Sequence, residues 1–468
     1  MGLTPEAQSL AVIVTVVVCL WVTEALPLAV TALLGAVACV LAGVAPAQEV
    51  FRPFADPLIF LFIGSFLLAE AIRQHGLDRR LAFRVLSLPW VDDRPRRILA
   101  AVAVITATIS AFISNTCTAA MMIAIVSGIL VAVEESARRS GRPPVPAFAT
   151  ALFLCIAFAA SIGGLATPIG TPPNLIGLGF IKRQLGVEVS FLEWVGIGMP
   201  IVVALIWFMV LLLARMFPAG VERLDGVGDY VASERVRLGA WTIGQWSVAT
   251  AFVITVVLWV LPGIAGVMLG PTPAALWIKE RLPEGVAALI GGILLFVLPG
   301  GRRDGRLVAA LEWGDARIDW GIVLLYGGGM ALGELCFSTG LAEAVGSVAT
   351  GWIPAGPWAG VALVATATLL GIVTSEFTSN TASATMIVPV VIAIGAHTGG
   401  DNLVAALAAT FACSLGFMMP VSTPCNALVY GTGRIPLRAM MRSGVVLDVV
   451  GAFVIVGVLL AFSRLAGI

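Results

Sequence analysis

Apolar residues occur along most of the chain in runs that are long enough to cross a lipid bilayer. A helix needs about 20 predominantly apolar residues to span the hydrocarbon core of a membrane, and runs of that order recur from one end of the chain to the other. The pattern predicts ten transmembrane spans, at about 9–25, 26–44, 56–73, 146–180, 194–216, 246–266, 284–299, 319–336, 402–432 and 443–465.

Two further apolar stretches, 97–134 and 358–397, each carry a polar cluster near the middle. The first cluster reads SAFISNTCTAAM from Ser110, and the second reads SEFTSNTASATM from Ser375. Polar groups left without partners in hydrocarbon cost several kcal/mol, and non-helical backbone at membrane depth is tolerated only inside protein or beside water. We therefore predict one re-entrant hairpin of two short helices in each stretch, with the cluster at its buried tip.

The two halves of the chain resemble each other beyond these clusters. SLAVIVTVVVCLWV from Ser9 parallels SVATAFVITVVLWV from Ser247, and Thr-Pro-Pro-Asn at 171–174 is echoed by Thr-Pro-Cys-Asn at 423–426. Five spans and one hairpin fall in each half, and because five is odd, the second half is expected to enter the membrane from the opposite side. The sequence thus predicts an all-α polytopic membrane protein with a first inverted repeat at 1–216, a cytoplasmic connector at 217–245 and a second inverted repeat at 246–468.

The charges of the loops support opposite orientations for the two halves. Seven arginines lie between 73 and 97, whereas the equivalent loop at 337–357 has no Arg or Lys. The positive-inside rule then places the ends of the first hairpin in the cytoplasm and those of the second outside. Arg142 and its neighbours Arg138 and Arg139 fit this orientation. The exceptions, on the predicted outer side, are Lys182, Arg183, Lys279 and Arg281. An inverted repeat is a transporter architecture with its site near the membrane midplane.

The composition agrees with a membrane protein and excludes several other classes. Of 468 residues, 59% are hydrophobic and 12% are charged, and the mean hydropathy is +1.03, whereas a soluble domain has roughly 25% charged residues. The net charge is zero, which argues against a nucleic-acid partner. The seven cysteines lie in apolar runs without a CxxC pattern and there are only two histidines, so no Cys- or His-based metal site is expected. The first ten residues lack Lys and Arg, so the first span is expected to be retained.

Each predicted hairpin tip offers hydroxyls, a carboxamide and backbone groups freed from helical hydrogen bonds. Ser110 and Ser114 are four residues apart, as are Ser375 and Ser379, a spacing that on a helix would put each pair on one face. Their oxygens suit a hard cation such as Na⁺. The helix that follows each tip presents free N–H groups and a positive dipole end, which attract an anion.

No Arg, Lys or His lies within the two clusters or the two Thr-Pro-x-Asn motifs. The prolines of those motifs free backbone carbonyls for coordination, but a multiply charged anion would still need co-bound cations. The motifs therefore indicate a cation-coupled anion carrier, whose pH dependence is expected to follow protonation of the substrate. A single Ser/Thr cluster in a span would indicate only hydrogen bonding between neighbouring helices. Its duplication at matched positions favours a functional role.

These motifs resemble those of the divalent anion/sodium symporter family, which carries di- and tricarboxylates or sulfate. The resemblance covers nearly the whole chain, and its most specific parts are the paired Ser-Asn-Thr clusters and the stretch CSLGFMMPVSTPCNALV at Cys413–Val429. WVTEALPLAVTALL from Trp21 is also similar to the early spans of the family. Two departures are the apparent lack of a span before the TEALP segment, which would place the N-terminus outside, and Cys425 in place of a usual second proline.

The resemblance implies a Na⁺-coupled symporter of C4 dicarboxylates such as succinate, malate or fumarate, acting as a homodimer in a bacterial inner membrane. A transport domain carrying both hairpins would slide past a fixed scaffold, as in an elevator. It implies two or more Na⁺ ions, with one site at Ser110, Ser114, Asn115 and the backbone near Gly170, and a second at Ser375, Ser379, Asn380 and the backbone near Ser422. It places the substrate at Asn115, Thr116, Asn380 and Thr381, with Thr171, Thr423 and Pro424 nearby.

Several alternatives remain open from the sequence. Sodium-independent exchange of dicarboxylates, or Na⁺-coupled transport of sulfate, citrate or tartrate, would use the same motifs. A passive channel is disfavoured because a two-half repeat with hairpin tips suits alternating access. An enzyme is disfavoured because HExxH, GxSxG and paired intramembrane Asp residues are absent from the sequence. Glu24, Glu70 and Glu334 are interpreted as helix-end residues with structural hydrogen bonds.

Overall fold

The first half of the chain forms a series of α-helices whose bounds follow the apolar runs within a few residues. The structure, a computed structural model, describes residues 3–141, 143–303, 305–349, 356, 358–398 and 401–466. Outside these residues lie Arg142 and, in the predicted loop 337–357, residues 350–355 and 357. In chain order the helices are α1 (Pro5–Thr23), α2 (Leu28–Leu41), α3 (Ala47–Phe51), α4 (Pro57–Gln74), α5 (Leu77–Leu86), α6 (Pro95–Ser110), α7 (Asn115–Ser140), α8 (Pro146–Gly163), α9 (Pro172–Phe180) and α10 (Phe191–Met216).

The connector and the second half continue the helical pattern, with one small antiparallel β-hairpin that the sequence did not predict. The elements are α11 (Val227–Leu238), α12 (Ile243–Leu269), α13 (Pro273–Arg281), α14 (Glu284–Val297), β1 (Pro299–Arg303), β2 (Arg306–Ala309), α15 (Trp320–Ser338), α16 (Leu341–Ala349), α17 (Ala359–Phe377), α18 (Asn380–Thr398), α19 (Asn402–Ala412), α20 (Pro424–Gly431) and α21 (Leu437–Ala466). The prediction of an all-α polytopic membrane protein is confirmed.

Ten helices of the described chain are long and apolar enough to cross a membrane. They include α7, α17 and α18 of the predicted hairpins, whereas α2, α14 and α19 are shorter apolar helices. The predicted spans 146–180 and 402–432 are not continuous helices. Each is interrupted before a proline, at the start of α9 and of α20, because proline fixes its φ angle and cannot donate a backbone hydrogen bond.

Each hairpin packs against a broken helix that belongs to the other half of the chain. Helix α7 packs on α20, and α18 packs on α9. Helix α8 is buried along its whole apolar stretch. It lies between α6 of its own half and α20 of the other half. The two hairpin tips and the two breaks are therefore assembled in one region of the interior.

A second group of helices packs together through close glycine contacts. Helix α4 packs on α14, and α15 packs on α2. A Cβ atom on Gly64 would lie 2.4 Å from the Ala288 carbonyl carbon, and one on Gly328 would lie 2.7 Å from the Ala32 Cβ atom. Gly64 and Gly328 occupy equivalent positions of the two halves, so both halves use a glycine to bring two helix backbones together.

The glutamates that the sequence assigned to helix ends do lie there. Glu24 follows the last residue of α1 with a φ angle of 49°. Glu70 accepts hydrogen bonds from Arg73 and from Gln74, the latter over 2.9 Å. Glu334 forms ion pairs with Arg183 and with Arg52. These contacts support the structural interpretation.

The predicted connector at 217–245 is partly helical. It contains α11, and α12 begins at Ile243. The Leu224 backbone N–H donates to the Asp93 carbonyl over 2.7 Å. The Asp93 backbone N–H and the Arg223 guanidinium lower the pKa of the Asp92 carboxyl. These contacts hold the connector against the arginine-rich loop that precedes α6.

Three of the four basic residues that departed from the positive-inside pattern are paired with acids. Arg183 donates to Asp56 over 3.0 Å and also contacts Glu334. Lys182 lies 2.8 Å from Glu188, which Lys279 also approaches at 3.7 Å. The hydrogen bond from Lys182 lowers the pKa of the Glu188 carboxyl. Each of these three cations therefore has an acidic partner in the folded protein.

Replacing Arg183 by alanine is expected to lower the free energy of unfolding by about 3 kcal/mol, because it leaves the largely buried Asp56 carboxylate without a cation and Glu334 with only the exposed Arg52, 3.7 Å away. The Arg183 side chain is only 19% exposed, and that of Asp56 is 11% exposed. Thermal unfolding in detergent measures the effect. The matched control is Lys182→Ala, whose half-exposed ion pair is worth at most about 1 kcal/mol. Equal melting temperatures for the two variants would contradict the expectation.

Candidate functional site

The first hairpin turns at residues 111–114, between α6 and α7. The Ser110 hydroxyl, which is fully buried, donates to the Ala160 carbonyl of α8 over 2.7 Å. The Asn115 carboxamide lies 2.6 Å from the same hydroxyl. The Ser110 hydroxyl has one proton, which it donates to the Ala160 carbonyl, so it accepts a hydrogen bond from Asn115. The Asn115 carboxamide nitrogen therefore faces the hydroxyl, and in this orientation it also donates to the Gly170 carbonyl over 3.2 Å.

The second hairpin repeats this arrangement between α17 and α18. The Ser375 hydroxyl is within 2.9 Å of the Cys413 carbonyl and 2.8 Å of the Asn380 carboxamide oxygen. The Asn380 nitrogen points to the Ser414 carbonyl at 3.5 Å. Ser375 and Asn380 thus meet the end of α19 just as Ser110 and Asn115 meet α8. The two halves build the same local structure from matching residues.

The two breaks are also held by matching hydrogen bonds. The Asn174 side chain donates to the carbonyls of Gly164 and Thr167, each over 2.8 Å. The Asn426 side chain donates to those of Gly416 and Met419, each over 2.9 Å. The separations along the chain are ten and seven residues in both cases. The asparagine of each Thr-Pro-x-Asn motif therefore fixes the extended backbone that precedes it.

Close contacts join the predicted residues of the first site. A Cβ atom on Gly164 would lie 2.8 Å from the Asn115 side chain and 3.1 Å from that of Thr171. A Cβ atom on Gly170 would lie 2.5 Å from the Gly164 carbonyl oxygen. Thr116, the next residue of α7, contacts Cys425 of α20. The structure thus brings Ser110, Asn115, Gly170 and Thr171 together and places them next to the second half.

The predicted residues of the second site converge in the same way. A Cβ atom on Gly416 would lie 3.0 Å from the Ser375 hydroxyl and 3.2 Å from the Ser422 Cβ atom. The Thr423 hydroxyl accepts the Asn426 backbone N–H over 3.1 Å and so caps α20. Pro424 is the first residue of α20. Cys425 stands where a second proline is usual, and the helix still begins at Pro424.

Burial divides the predicted residues into an inner and an outer set. Asn115, Thr116, Ser379, Asn380 and Thr381 are half-buried, whereas Ser114 and Pro424 are exposed. The buried members are Ser110, Gly170, Thr171, Ser375, Ser422 and Thr423. No side-chain cap bond is formed by Ser114, while Ser379 accepts the Ala382 backbone N–H over 3.2 Å. An inner layer of hydroxyl and carbonyl oxygens therefore lies beneath an outer layer of carboxamides and hydroxyls.

One buried acid of the site was not assigned from the sequence. Glu376 follows Ser375 directly and is 3% exposed. Its carboxylate accepts the Met418 backbone N–H and the Ser422 hydroxyl, each over 2.9 Å. The signal was present in the second cluster, which reads Ser-Glu-Phe where the first reads Ser-Ala-Phe. Elsewhere in the described chain, no group of three or more His, Cys, Asp or Glu residues is placed to hold a metal ion.

A helical membrane protein in which two hairpin tips and two broken helices converge on a polar interior has the architecture of a secondary transporter. Comparison of sequences gives the family. The chain belongs to the family described as the sodium:sulfate symporter transmembrane region, whose profile matches residues 1–468. The resemblance noted from the motifs is thereby confirmed, and the chain is a multi-pass plasma-membrane protein of a transporter family.

Named relatives agree with this family assignment. The chain is 31% identical over 447 residues to the sodium-dependent dicarboxylate transporter SdcS of Staphylococcus saprophyticus, covering 93% of this chain and 82% of the relative. It is 30% identical over 442 residues to SdcS of Staphylococcus aureus strain USA300, with the same coverage of 93% and 82%.

Two solved structures share the fold at low sequence identity. The YdaH transporter of Alcanivorax borkumensis matches with a TM-score of 0.55 and 15% identity, over 89% of this chain and 87% of that one. MtrF of Neisseria gonorrhoeae matches with a TM-score of 0.57 and 13% identity, over 90% of this chain and 83% of that one.

Proposed function

We propose that this protein is a Na⁺-coupled symporter of C4 dicarboxylates, with succinate, malate and fumarate as its substrates. The observation that carries the proposal is the pair of matched tips, in which a buried serine, a carboxamide and a helix-end carbonyl meet in each half. The SdcS relatives, named as sodium-dependent dicarboxylate transporters, support the choice of ion and substrate.

The chemistry of the tips explains why the anion and the cation would bind together. Oxygen ligands without a charged partner suit Na⁺, and the first residues of α7 and α18 present unpaired N–H groups to an anion. A dicarboxylate brings two negative charges, and no Lys or Arg belongs to the tips or to the Thr-Pro-x-Asn motifs. Bound Na⁺ ions therefore supply the neutralising charge, which couples their movement to that of the substrate.

The residues take the roles that the resemblance of the motifs implies. The first Na⁺ is held by Ser110, Ser114, Asn115 and the Gly170 backbone, and the second by Ser375, Ser379, Asn380 and the Ser422 backbone. The substrate carboxylates meet the outer layer of Asn115, Thr116, Asn380 and Thr381, beside Thr171, Thr423 and Pro424. Two or more Na⁺ ions accompany each substrate molecule.

Transport follows an elevator mechanism in this proposal. The hairpins and the broken helices interlock across the two halves, so they move as one unit. The helices α1, α2, α4, α14 and α15, which pack through close glycine contacts, form the scaffold. Two copies of the chain join through their scaffolds as a homodimer, with the halves inserted in opposite orientations.

Uptake into liposomes tests the function directly. Purified protein in liposomes is expected to accumulate radiolabelled succinate when Na⁺ is outside and not when K⁺ or choline replaces it, because bound Na⁺ offsets the charge of the dicarboxylate. Protein-free liposomes give the background. Succinate exchange that ignores the Na⁺ gradient would indicate a sodium-independent exchanger and contradict the proposal. Competition by unlabelled malate, fumarate, sulfate, citrate and tartrate then ranks the anions.

A further inference from the structure

A long groove opens on the outer surface of the helical body, between α6, α10 and α12. Its volume is about 940 Å³, within the range of about 300–1,000 Å³ that is typical of small-molecule sites. Helix α12 contributes Val256 and Val260 to its wall. Val203 and Trp207 of α10 also line it and are 60% and 69% exposed. Because these exposed side chains are apolar, the groove opens towards lipid.

One face of α10 forms a wall of this groove. Its lining residues recur at every fourth position, a spacing that places them on one face of the helix. They are Met199, Val203, Trp207, Leu211 and Arg215. The stripe is apolar up to its last member, an arginine in the final turn of α10.

Helix α6 and the turn after it form the opposite wall with the same spacing. The lining residues are Arg96, Ala100, Val104, Thr108 and Phe112. The arginine again stands at one end, here in the first turn of the helix. Each stripe is about 24 Å long at 1.5 Å per residue. One leaflet is half of a hydrocarbon core of about 30 Å, so the groove is deep enough for a lipid tail.

The two arginines lie at the same end of the groove. A second pocket adjoins this end and is lined by Arg96 and by Ala214, the neighbour of Arg215. Of the described residues, four arginines and one acid, Glu222, line that pocket, so positive charge predominates there. The positive-inside rule places the loop before α6 in the cytoplasm. The arginines therefore mark the cytoplasmic mouth of the groove.

Arg96 and Arg215 differ from the arginines around them because they have no acidic partner. Both are exposed, and neither forms a hydrogen bond or an ion pair within the part of the chain that the structure describes. Arg94 and Arg223, by contrast, both contact Asp92, at 3.7 and 3.0 Å. Two guanidinium groups at the mouth are thus free to bind an anion from the membrane.

These features match the two parts of an anionic phospholipid. A guanidinium group binds phosphate oxygens through paired N–H donors, and an acyl tail suits the two apolar stripes. Basic pockets between transmembrane helices on the cytoplasmic side bind anionic head groups. A phosphatidylcholine has the same tail, but its choline cation offsets the charge of its phosphate.

We propose that this groove binds one anionic phospholipid of the cytoplasmic leaflet, with its phosphate at Arg96 and Arg215 and one acyl tail between α6, α10 and α12. The groove extends inward to Ala111 and Thr167, which belong to the turn of the first hairpin and to the loop before α9. The bound tail therefore packs behind the first hairpin and joins it to α10 and α12.

Native mass spectrometry of delipidated protein in detergent tests the head-group contacts, with dioleoyl phosphatidylglycerol as the probe. The wild type is expected to retain one phosphatidylglycerol per chain, about tenfold more tightly than dioleoyl phosphatidylcholine. Combining Arg96→Gln with Arg215→Gln should weaken phosphatidylglycerol binding about 10- to 30-fold, since each arginine near an anionic lipid contributes about fivefold. The matched control combines Arg138→Gln with Arg235→Gln, which removes two exposed arginines outside the groove, and it should bind like the wild type.

A substitution that narrows the groove without changing its charge tests the tail. Ala100→Phe, one turn from Arg96, is expected to weaken phosphatidylglycerol binding about tenfold, because its ring takes the place of apolar tail and burial of that size is worth about tenfold or more. Ala365→Phe places the same side chain on an exposed face of α17 and should have no effect. The melting temperature of each variant without added lipid shows that it remains folded.

The other outcomes overturn the proposal. Equal retention of phosphatidylglycerol and phosphatidylcholine by the wild type would remove the head-group assignment, as would an arginine variant that binds like its control. Unchanged binding by Ala100→Phe would remove the groove as the site of the tail. Displacement of the lipid by inorganic phosphate at equal concentration would indicate a site for a free anion instead. The assay needs neither Na⁺ nor dicarboxylate, so its result is independent of the proposed function.

Discussion

Replacing Asn115 or Asn380 by alanine is expected to reduce Na⁺-driven succinate uptake at least about 100-fold, since each loses two or more interactions with charged ligands worth about 1.5–3 kcal/mol apiece. Each carboxamide lies between a buried serine and a helix-end carbonyl and begins the helix that follows the tip. It is therefore placed to contact both the cation and the substrate carboxylate.

Uptake into liposomes measures this effect, and thermal unfolding in detergent shows whether the variants remain folded. The matched control is Asn402→Ala, the same substitution at the start of α19, where the buried side-chain oxygen accepts no hydrogen bond from the described residues. This variant should transport at nearly the wild-type rate. Near-normal uptake by both Asn115→Ala and Asn380→Ala would mean that the clusters serve only to join helices.

Replacing Asn174 or Asn426 by alanine is expected to reduce both stability and transport. Each side chain donates two hydrogen bonds to buried carbonyls of the break that precedes it. Leaving two carbonyls without donors costs about 2–5 kcal/mol, and the freed backbone would no longer hold Gly170 or Ser422 in place. Melting temperature in detergent and uptake in liposomes measure the two effects.

The melting temperature measured without Na⁺ distinguishes these variants from the variants at the hairpin tips. Asn174→Ala and Asn426→Ala should lower the melting temperature clearly in the absence of Na⁺, whereas Asn115→Ala and Asn380→Ala should mainly remove the additional stabilisation that Na⁺ provides. Asn402→Ala again serves as the control. Unchanged melting temperatures for both Asn174→Ala and Asn426→Ala would show that their hydrogen bonds do not support the breaks.

Much of the fold could be predicted because it depends on local sequence. Long apolar runs specify helices, and Pro172 and Pro424 specify the breaks through their own geometry. The repetition of Ser-Asn-Thr and Thr-Pro-x-Asn then indicated which elements belong to the site. The helix of the connector was missed because α11 is short and polar, and the β-hairpin because Pro and Gly in β1 are poor strand formers.

Features that depend on distant residues could not be predicted. Arg183 was counted as an exception to the charge rule, and only the fold shows Asp56, 127 residues away, as its partner. The hydrogen bonds of Glu376 join it to the Met418 backbone N–H and the Ser422 hydroxyl, 42 and 46 residues further along the chain, and no motif indicates this pairing.

The exchange of partners between the halves has a consequence for biosynthesis. Helix α7 rests on α20, and α18 rests on α9, so neither half can enclose its own hairpin. While the ribosome is still making the second half, the side of α7 that packs on α20 has no protein surface to cover it. The insertion machinery must shield that side until α20 arrives, and assembly is completed only after the whole chain has been synthesised.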